Sequence, residues 1–234
     1  MVKTIRLTGL ENNMTHIIAT GDTQAGAAVY TKTALRLYDF WVHGFSNHYL
    51  WNCSTAQLHA LYQRHTSNNH LEVGAGTGFF LKQVPFRRLK PRIVLMDLNQ
   101  NTLETASKAI QHFEPAGILV DILSAKMPEL PAFDSIAFNY VWHCLPSPPA
   151  RKNIAFSHLA SLLKEGGVLF GATLLMKDTP MNPLAKMVMK LYNQKGIFGN
   201  EADSREALES VLAANFSRYE IKQEGAAALF TAWK

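Results

Sequence analysis

The chain has 234 residues, with 23 Lys+Arg against 18 Asp+Glu, a formal net charge of +5, and 47% hydrophobic and 18% charged residues. That composition supports a buried core and excludes global disorder. No stretch approaches the roughly 18 uninterrupted apolar residues of a membrane span.

The start, Met1-Val2-Lys3-Thr4-Ile5-Arg6, lacks the apolar block and cleavage site of a secretory signal, so a cytoplasmic protein is expected. Cys53 and Cys144 lie far apart without metal-ligand spacing. They exclude a disulfide framework, read as small packing residues, and give no reason to expect a metal. Lys82, Arg87, Arg88, Lys90 and Arg92 cluster around Pro85 and Pro91. With no recognition helix, aromatic RNA-binding pattern or zinc spacing beside them, they read as a solvated loop, and no nucleic-acid partner is expected.

Residues 1–26 carry little pattern beyond turn chemistry at Asn12-Asn13 and Gly21-Asp22. From Ala27 to His65 the texture is helical and aromatic, with Val29, Tyr30, Ala34, Leu37, Tyr38 and Trp41 at helical spacings. Behind Ser54 as N-cap, Leu58, Leu61 and Tyr62 share one helical face. Residues 1–65 are therefore expected to form an amino-terminal helical cap, and residues 66–234 one continuous core.

Beyond residue 70 short apolar runs alternate with helical segments. Strands are expected at Leu71–Val73, Arg92–Met96, Ile118–Val120, Asp134–Asn139 and Val168–Leu174, the last after a Gly166-Gly167 turn. Helices are expected near residues 100–112, 150–163 and 204–214. Runs at 217–223 and 226–233 around Glu224-Gly225 predict an antiparallel edge hairpin. Strands apolar on both faces and separated by helices mean a parallel sheet covered on both sides.

The glycine cluster Gly74-Ala75-Gly76-Thr77-Gly78 follows an apolar strand and is expected to open a helix. Glycines permit positive φ and let a ligand lie against the backbone at the carboxyl edge of the sheet. Glu72 precedes the cluster; Asp97 ends the second strand, placed to accept from two ribose hydroxyls; Asp121 ends the third, placed to accept from an adenine amine with Ile122 beside the ring.

The order Leu71-Glu72-Val73-Gly74-Ala75-Gly76-Thr77-Gly78, Met96-Asp97-Leu98-Asn99, Val120-Asp121-Ile122 and Phe133-Asp134-Ser135-Ile136 resembles the class I S-adenosylmethionine-dependent methyltransferases. Leu162-Leu163-Lys164-Glu165-Gly166-Gly167-Val168-Leu169 is similar to the passage that follows in that family. The resemblance implies a Rossmann-like α/β fold: a seven-stranded, mostly parallel sheet with helices on both faces and an antiparallel edge hairpin. It implies S-adenosylmethionine as cofactor, with Gly74, Ala75, Gly76 and Gly78 along its methionine and ribose portion. Glu72 would orient the amino group, Asp97 and Leu98 would hold ribose and adenine, Asp121 and Ile122 the adenine edge, and Asn139 with Tyr140 would close the pocket beneath the sulfonium.

Methyl transfer from a sulfonium is an in-line displacement whose leaving thioether needs no proton, so alignment dominates and a general base matters when the nucleophile carries a proton. His143, past the fourth strand, is the candidate base, with His43 and His48 behind it. Tyr30, Tyr38, Trp41, Trp142 and His143 are the candidate acceptor contacts, and Pro180–Tyr192 a candidate further wall. Asn139-Tyr140-Val141-Trp142 departs from the Asn/Asp-Pro-Pro-Tyr/Phe of DNA amino-methyltransferases, and no Pro-Cys nucleophile is present.

The expected activity is methyl transfer to an O, N or C atom of a small metabolite. A nicotinamide-dependent dehydrogenase would prefer Gly-x-Gly-x-x-Gly, and a non-catalytic cofactor-binding protein of the same fold is the remaining alternative. The sequence leaves monomer and homodimer open.

Overall fold

A computed structural model describes residues Lys3–Ile5, Met14–Ile18 and 50–234 other than Ser147. Its strands are β1 (Lys3–Ile5), β2 (Met14–Ile18), β3 (Asn69–Val73), β4 (Arg92–Asp97), β5 (Ala116–Leu119), β6 (Phe133–Phe138), β7 (Leu163–Leu174), β8 (Arg218–Glu224) and β9 (Ala227–Trp233). The α-helices among the described residues are α1 (Thr55–His65), α2 (Gln100–Ala109), α3 (Pro149–Leu162), α4 (Pro183–Gln194) and α5 (Arg205–Asn215).

The strands form one sheet in the order β1-β2-β5-β4-β3-β6-β7-β9-β8. From β2 to β7 every neighbouring pair is parallel. β9 runs antiparallel to β7 and to β8. The seven strands from β3 onward are the expected Rossmann-like set. Chain order runs one way from β3 through β4 to β5, then crosses to β6 and β7, so β3 and β6 flank the topological switch point.

Alternation along each strand divides the core between the two faces. Leu71, Val73, Val94, Met96, Ile118 and Phe138 pack on one face with Phe156 and Leu159 of α3 and Leu208 and Leu212 of α5. Ile93, Leu95, Ala137 and Phe170 pack on the other with Leu58 and Tyr62 of α1, Leu103 and Ala106 of α2 and Met189 of α4. Side-chain caps set the helix starts: Ser54 accepts from Ala56 N, Asn99 from Asn101 N, Asn182 from Ala185 N and Ser204 from Ala207 N.

Four local expectations need correction. Lys3–Ile5 and Met14–Ile18, expected within a helical cap, are strands, and β2 pairs parallel with β5, which covers an otherwise open sheet edge. Residues 19–49, with the aromatic run from Tyr30 to Trp41, lie outside the described residues. The glycine cluster leads only to a 3-10 turn, Leu81–Gln83. Gly78 is still at φ +73, and Pro85 follows too soon for an α-helix to form between them. Gly166-Gly167 lies inside β7, where the register against β6 jumps from Phe133↔Leu163 to Ser135↔Val168, so β7 absorbs the extra residues as an irregularity. At the hairpin, Glu224 pairs with Ala227, so the tight turn is Gly225-Ala226, with Gly225 at φ +56.

The middle of the basic cluster is a loop as expected, between the 3-10 turn that holds Lys82 and β4, which Arg92 opens. Arg87, Arg88 and Lys90 are exposed, and Arg92 lies over the Phe133 ring with its guanidinium carbon 4.2 Å from the centroid. Cys53 is buried and Cys144 partly so, both as free thiols.

Candidate cofactor-binding site

A pocket opens at the carboxyl edge of the sheet, at the switch point. Its lining comprises Tyr62, Glu72, Gly74, Ala75, Gly76, Thr77, Gly78, Phe79, Phe80, Leu81, Asn139 and Tyr140. Most of the residues expected to hold the cofactor are therefore brought together, with the backbone of the glycine loop as the floor.

The three glycines have different reasons to be glycine. All take positive φ, at +76, +54 and +73. A Cβ on Gly74 would lie 2.2 Å from Val141 Cγ2, and one on Gly78 would lie 3.3 Å from Ala106 O and Ala109 Cβ of α2. Gly74 thus lets the loop after β6 cross over the loop after β3, and Gly78 seats the loop on α2. A Cβ on Gly76 would meet nothing within 4 Å, so its missing side chain leaves open space on the pocket wall.

Asp97, at the end of β4, is tied into this loop. Its Oδ2 accepts from Ala75 N at 3.0 Å and its Oδ1 from Asn99 N at 2.8 Å. Burial pushes its carboxyl up to about 6, against the pull of the backbone N–H groups of Asn99, Ala75 and Leu98. Val120 N donates to Asp97 O at 3.0 Å, which sets Asp121 close by along the same edge. Asp121 is buried and its Oδ1 accepts from Leu123 N at 2.8 Å. Ile122 packs into the core while its carbonyl accepts from His158 Nδ1. Asp97, Leu98, Asp121 and Ile122 flank the pocket along the sheet edge and are not part of its lining.

Glu72 is 4% exposed; its Oε1 accepts from Tyr62 Oη–H at 2.5 Å, and its Oε2 lies 3.2 Å from His70 Nε2. Asn139 follows β6, and its Oδ1 is buried in the pocket wall without a hydrogen-bond partner. Tyr140 sits at φ +57, unusual for a tyrosine, with its N–H held by Ala172 O at 2.7 Å.

Two candidates behave differently. Trp142 is wholly buried among Phe138 and Phe156, because the chain turns inward through the 3-10 turn Trp142–Cys144. As placed, it touches the core and not an acceptor. His143 is 3% exposed and its Nδ1 accepts from Leu174 N at 3.3 Å. Burial first, and the nearby Lys152 charge second, push its pKa down to about 3. With Nδ1 accepting, the proton of the neutral ring belongs on Nε2, so this ring is set up to donate. Tyr30, Tyr38, Trp41, His43 and His48 lie outside the described residues.

Sequence reasoning assigned Tyr62 to a packing face and overlooked His70. The available signal was the polar pair His70 and Glu72, two apart in an apolar strand and therefore on one face. Also overlooked was a run of edge-to-face rings leading away from the pocket: Tyr140 to His143 at 5.8 Å, His143 to Phe198 at 4.6 Å, and Phe198 to Tyr192 of α4 at 5.0 Å.

A parallel sheet with a glycine loop and successive acids at its switch point defines a class of adenosyl-cofactor-binding α/β proteins. A family profile described as a methyltransferase domain matches residues 71–169. The chain is 33% identical over 208 residues to a demethylluteothin O-methyltransferase from Streptomyces thioluteus, covering 89% of this chain and 90% of that one. It is 32% identical over 218 residues to a physcion biosynthesis cluster O-methyltransferase from Aspergillus chevalieri, covering 91% and 96%. Among solved structures, the N-methyltransferase NodS from Bradyrhizobium japonicum in complex with S-adenosylhomocysteine shares the fold, with a TM-score of 0.54, 14% identity and coverage of 76% and 83%. The chain belongs to the S-adenosylmethionine-dependent methyltransferase family.

The residues present fit that cofactor. Asn139 Oδ1 is an acceptor awaiting a donor, and the space at Gly76 admits an atom a side chain would displace. The Glu72 carboxylate complements an ammonium group.

Proposed function

We propose that the protein methylates a hydroxyl oxygen of a small aromatic metabolite. The observation that carries this reading is the near full-length match to proteins named O-methyltransferases, covering 89% and 91% of the chain. The ring series from Tyr140 through Phe198 to Tyr192 supports it, since edge-to-face rings at about 4.5–7 Å make a suitable wall for a planar acceptor.

When bound, S-adenosylmethionine supplies an electrophilic methyl on a positively charged sulfur. The residues reading is that the Gly74–Gly78 backbone seats the ligand, Glu72 faces its ammonium, and Asp97 accepts from the ribose hydroxyls. Leu98, Asp121 and Ile122 bound the adenine end, and Asn139 with Tyr140 closes the wall beside the reacting carbon. Alignment of this kind supplies up to about 7–11 kcal/mol of barrier reduction in well-held systems. His143, with Nδ1 taken by Leu174 N–H, positions the loop after β6 and supports Tyr140 and Phe198, in place of the base role expected from its sequence position. A cytoplasmic setting completes the reading. No helix among the described residues is long and apolar enough to cross a membrane.

The test is methyl transfer from radiolabelled S-adenosylmethionine to a panel of phenols, aliphatic alcohols and amines. Label entering phenols alone supports the reading; transfer only to amines overturns it. In the same assay, His143→Gln should leave the pH dependence of turnover unchanged. An inflexion on the acid side of the profile that the substitution removes would restore His143 as the base.

A further inference from the structure

Glu72 cannot lie where it does without help. A carboxylate taken out of water is destabilised unless donors replace the water. Both of its donors come from side chains with no assigned role in binding. Tyr62 lies on α1, ahead of the sheet, and His70 lies two residues before Glu72 on the same face of β3.

Behind His70 the chain of hydrogen bonds continues. Its Nδ1 lies 2.8 Å from Ser135 Oγ on β6, and Ser135 Oγ lies 2.9 Å from Ser67 Oγ. Ser67 Oγ lies 3.0 Å from Asn69 O as well as beside Ser135 Oγ, so its single proton can turn to either, while Ser67 N donates to Ser135 Oγ at 2.9 Å; when Ser135 gives its proton to His70, Ser67 gives its own to Ser135. Ser135 has one proton to give. If it goes to His70 Nδ1, the neutral ring carries its own proton on Nε2, aimed at Glu72 Oε2. If it goes to Ser67, His70 Nδ1 must donate, and the bare Nε2 of a neutral ring faces a carboxylate oxygen. The first arrangement alone lets a neutral His70 give Glu72 a donor on each oxygen.

We infer that Tyr62 and His70 are positioning residues that fix the Glu72 carboxylate toward the ammonium of the cofactor's methionine end. The inference rests on the reading that Glu72 faces that ammonium. Tyr62 and Glu72 both line the pocket, so the pair is part of its wall. Two donors hold the carboxylate in one orientation while leaving each oxygen a further lone pair for the ligand. The rotamer freedom of Glu72 is thereby lost on folding and need not be lost again on binding. Tyr62 itself is held by stacking on Phe80 at 4.7 Å and by edge contact with Phe170 at 5.1 Å, so its hydroxyl can be removed while the ring stays packed.

The experiment is calorimetry on the full chain with two probes. S-adenosylhomocysteine carries the ammonium; 5′-methylthioadenosine shares the adenosine and thioether but lacks it. Tyr62→Phe should weaken S-adenosylhomocysteine roughly tenfold, as expected for one bond to a charged group, and leave 5′-methylthioadenosine within about twofold by the same reasoning. Ser135→Ala, which leaves α1 untouched, should lower the same preference by releasing the His70 tautomer. His70→Gln, with an amide donor toward Glu72, should retain more of it than His70→Leu. A preference unchanged in Tyr62→Phe and Ser135→Ala, with Glu72→Gln reducing it, overturns the positioning roles alone. A preference unchanged in Glu72→Gln as well overturns the reading of Glu72 and the inference with it.

Discussion

Asp97 links the glycine loop, the start of α2 and the expected ribose site through one carboxylate. Its carboxyl protonates at about 6 in the fold against 3.8 free, with burial the leading cause. The folded state therefore holds the proton more tightly than the unfolded chain, so ionised Asp97 opposes folding above pH 6, and that penalty disappears as pH falls toward 3.8. The ligand needs the opposite state, because a protonated carboxyl loses acceptor capacity for ribose hydroxyls. S-adenosylhomocysteine affinity should be level above pH 6 and fall as pH drops through it. Asp97→Asn should bind weakly at every pH with that inflexion gone, read by titration calorimetry across the range. An unchanged inflexion in the variant would remove Asp97 from the site. Gly74 and Gly76 separate in the same way. Gly74→Ala meets Val141 Cγ2 and should lower both melting temperature and affinity, whereas Gly76→Ala meets no neighbour and should mainly cost affinity, beyond the roughly 1 kcal/mol of a positive φ. Equal loss of melting temperature in both would contradict this division. Strand-end acids and positive-φ glycines were legible in the sequence because topology alone fixes where a strand ends. Tyr62 as a partner of Glu72 was not, nor Ser135 behind His70, since both are brought there only by tertiary packing.

Elements beyond the glycine loop are tied together by one buried ion pair. Lys152 of α3 donates to both oxygens of Asp203, at 2.9 and 2.7 Å, with both side chains fully buried. Asp203 O also accepts from Met176 N and Lys177 N after β7, and Ser204, its neighbour, caps α5. The pair thus joins α3, the exit of β7 and the start of α5. Removing one partner strands a buried charge, so Lys152→Met should cost about 3–5 kcal/mol in denaturant unfolding. Lys152→Met combined with Asp203→Leu should recover most of that loss. A double variant no better than the single one would show that the pair does more than neutralise itself. At this scale periodicity read the strands from β3 onward and α1, α2, α3 and α5 nearly to their ends. It failed where a short-range pattern was ambiguous: before residue 19, where strand pairing at the β5 edge decides the structure, and after Gly78, where Pro85 stops a helix. It also missed that Trp142 turns under the sheet edge, since an aromatic residue past a strand reads the same whether it faces the core or the pocket.

The whole molecule is two half-sheets meeting at the glycine loop, with β3 to β5 on one side of the switch point and β6 to β7 on the other. Glu72 and the Gly74–Gly78 loop belong to the first half, Asn139 and Tyr140 to the second, so a ligand in the pocket bridges both. Ligand that binds only the folded chain raises its stability by mass action, about 2.7 kcal/mol at a hundred times the dissociation constant. For a chain of this size about 1 kcal/mol moves the melting temperature by roughly 2–4 °C. S-adenosylhomocysteine at that excess should therefore raise it by roughly 5–11 °C as a single cooperative shift. The shift should shrink in Asp97→Asn and Gly76→Ala with the logarithm of the lost affinity, to about half for a tenfold loss. NADH at the same concentration should give no comparable shift. The dehydrogenase alternative requires the reverse ranking, since its cofactor would have to occupy the same glycine loop and draw the two halves together. A larger shift with NADH than with S-adenosylhomocysteine would therefore decide against the methyltransferase site.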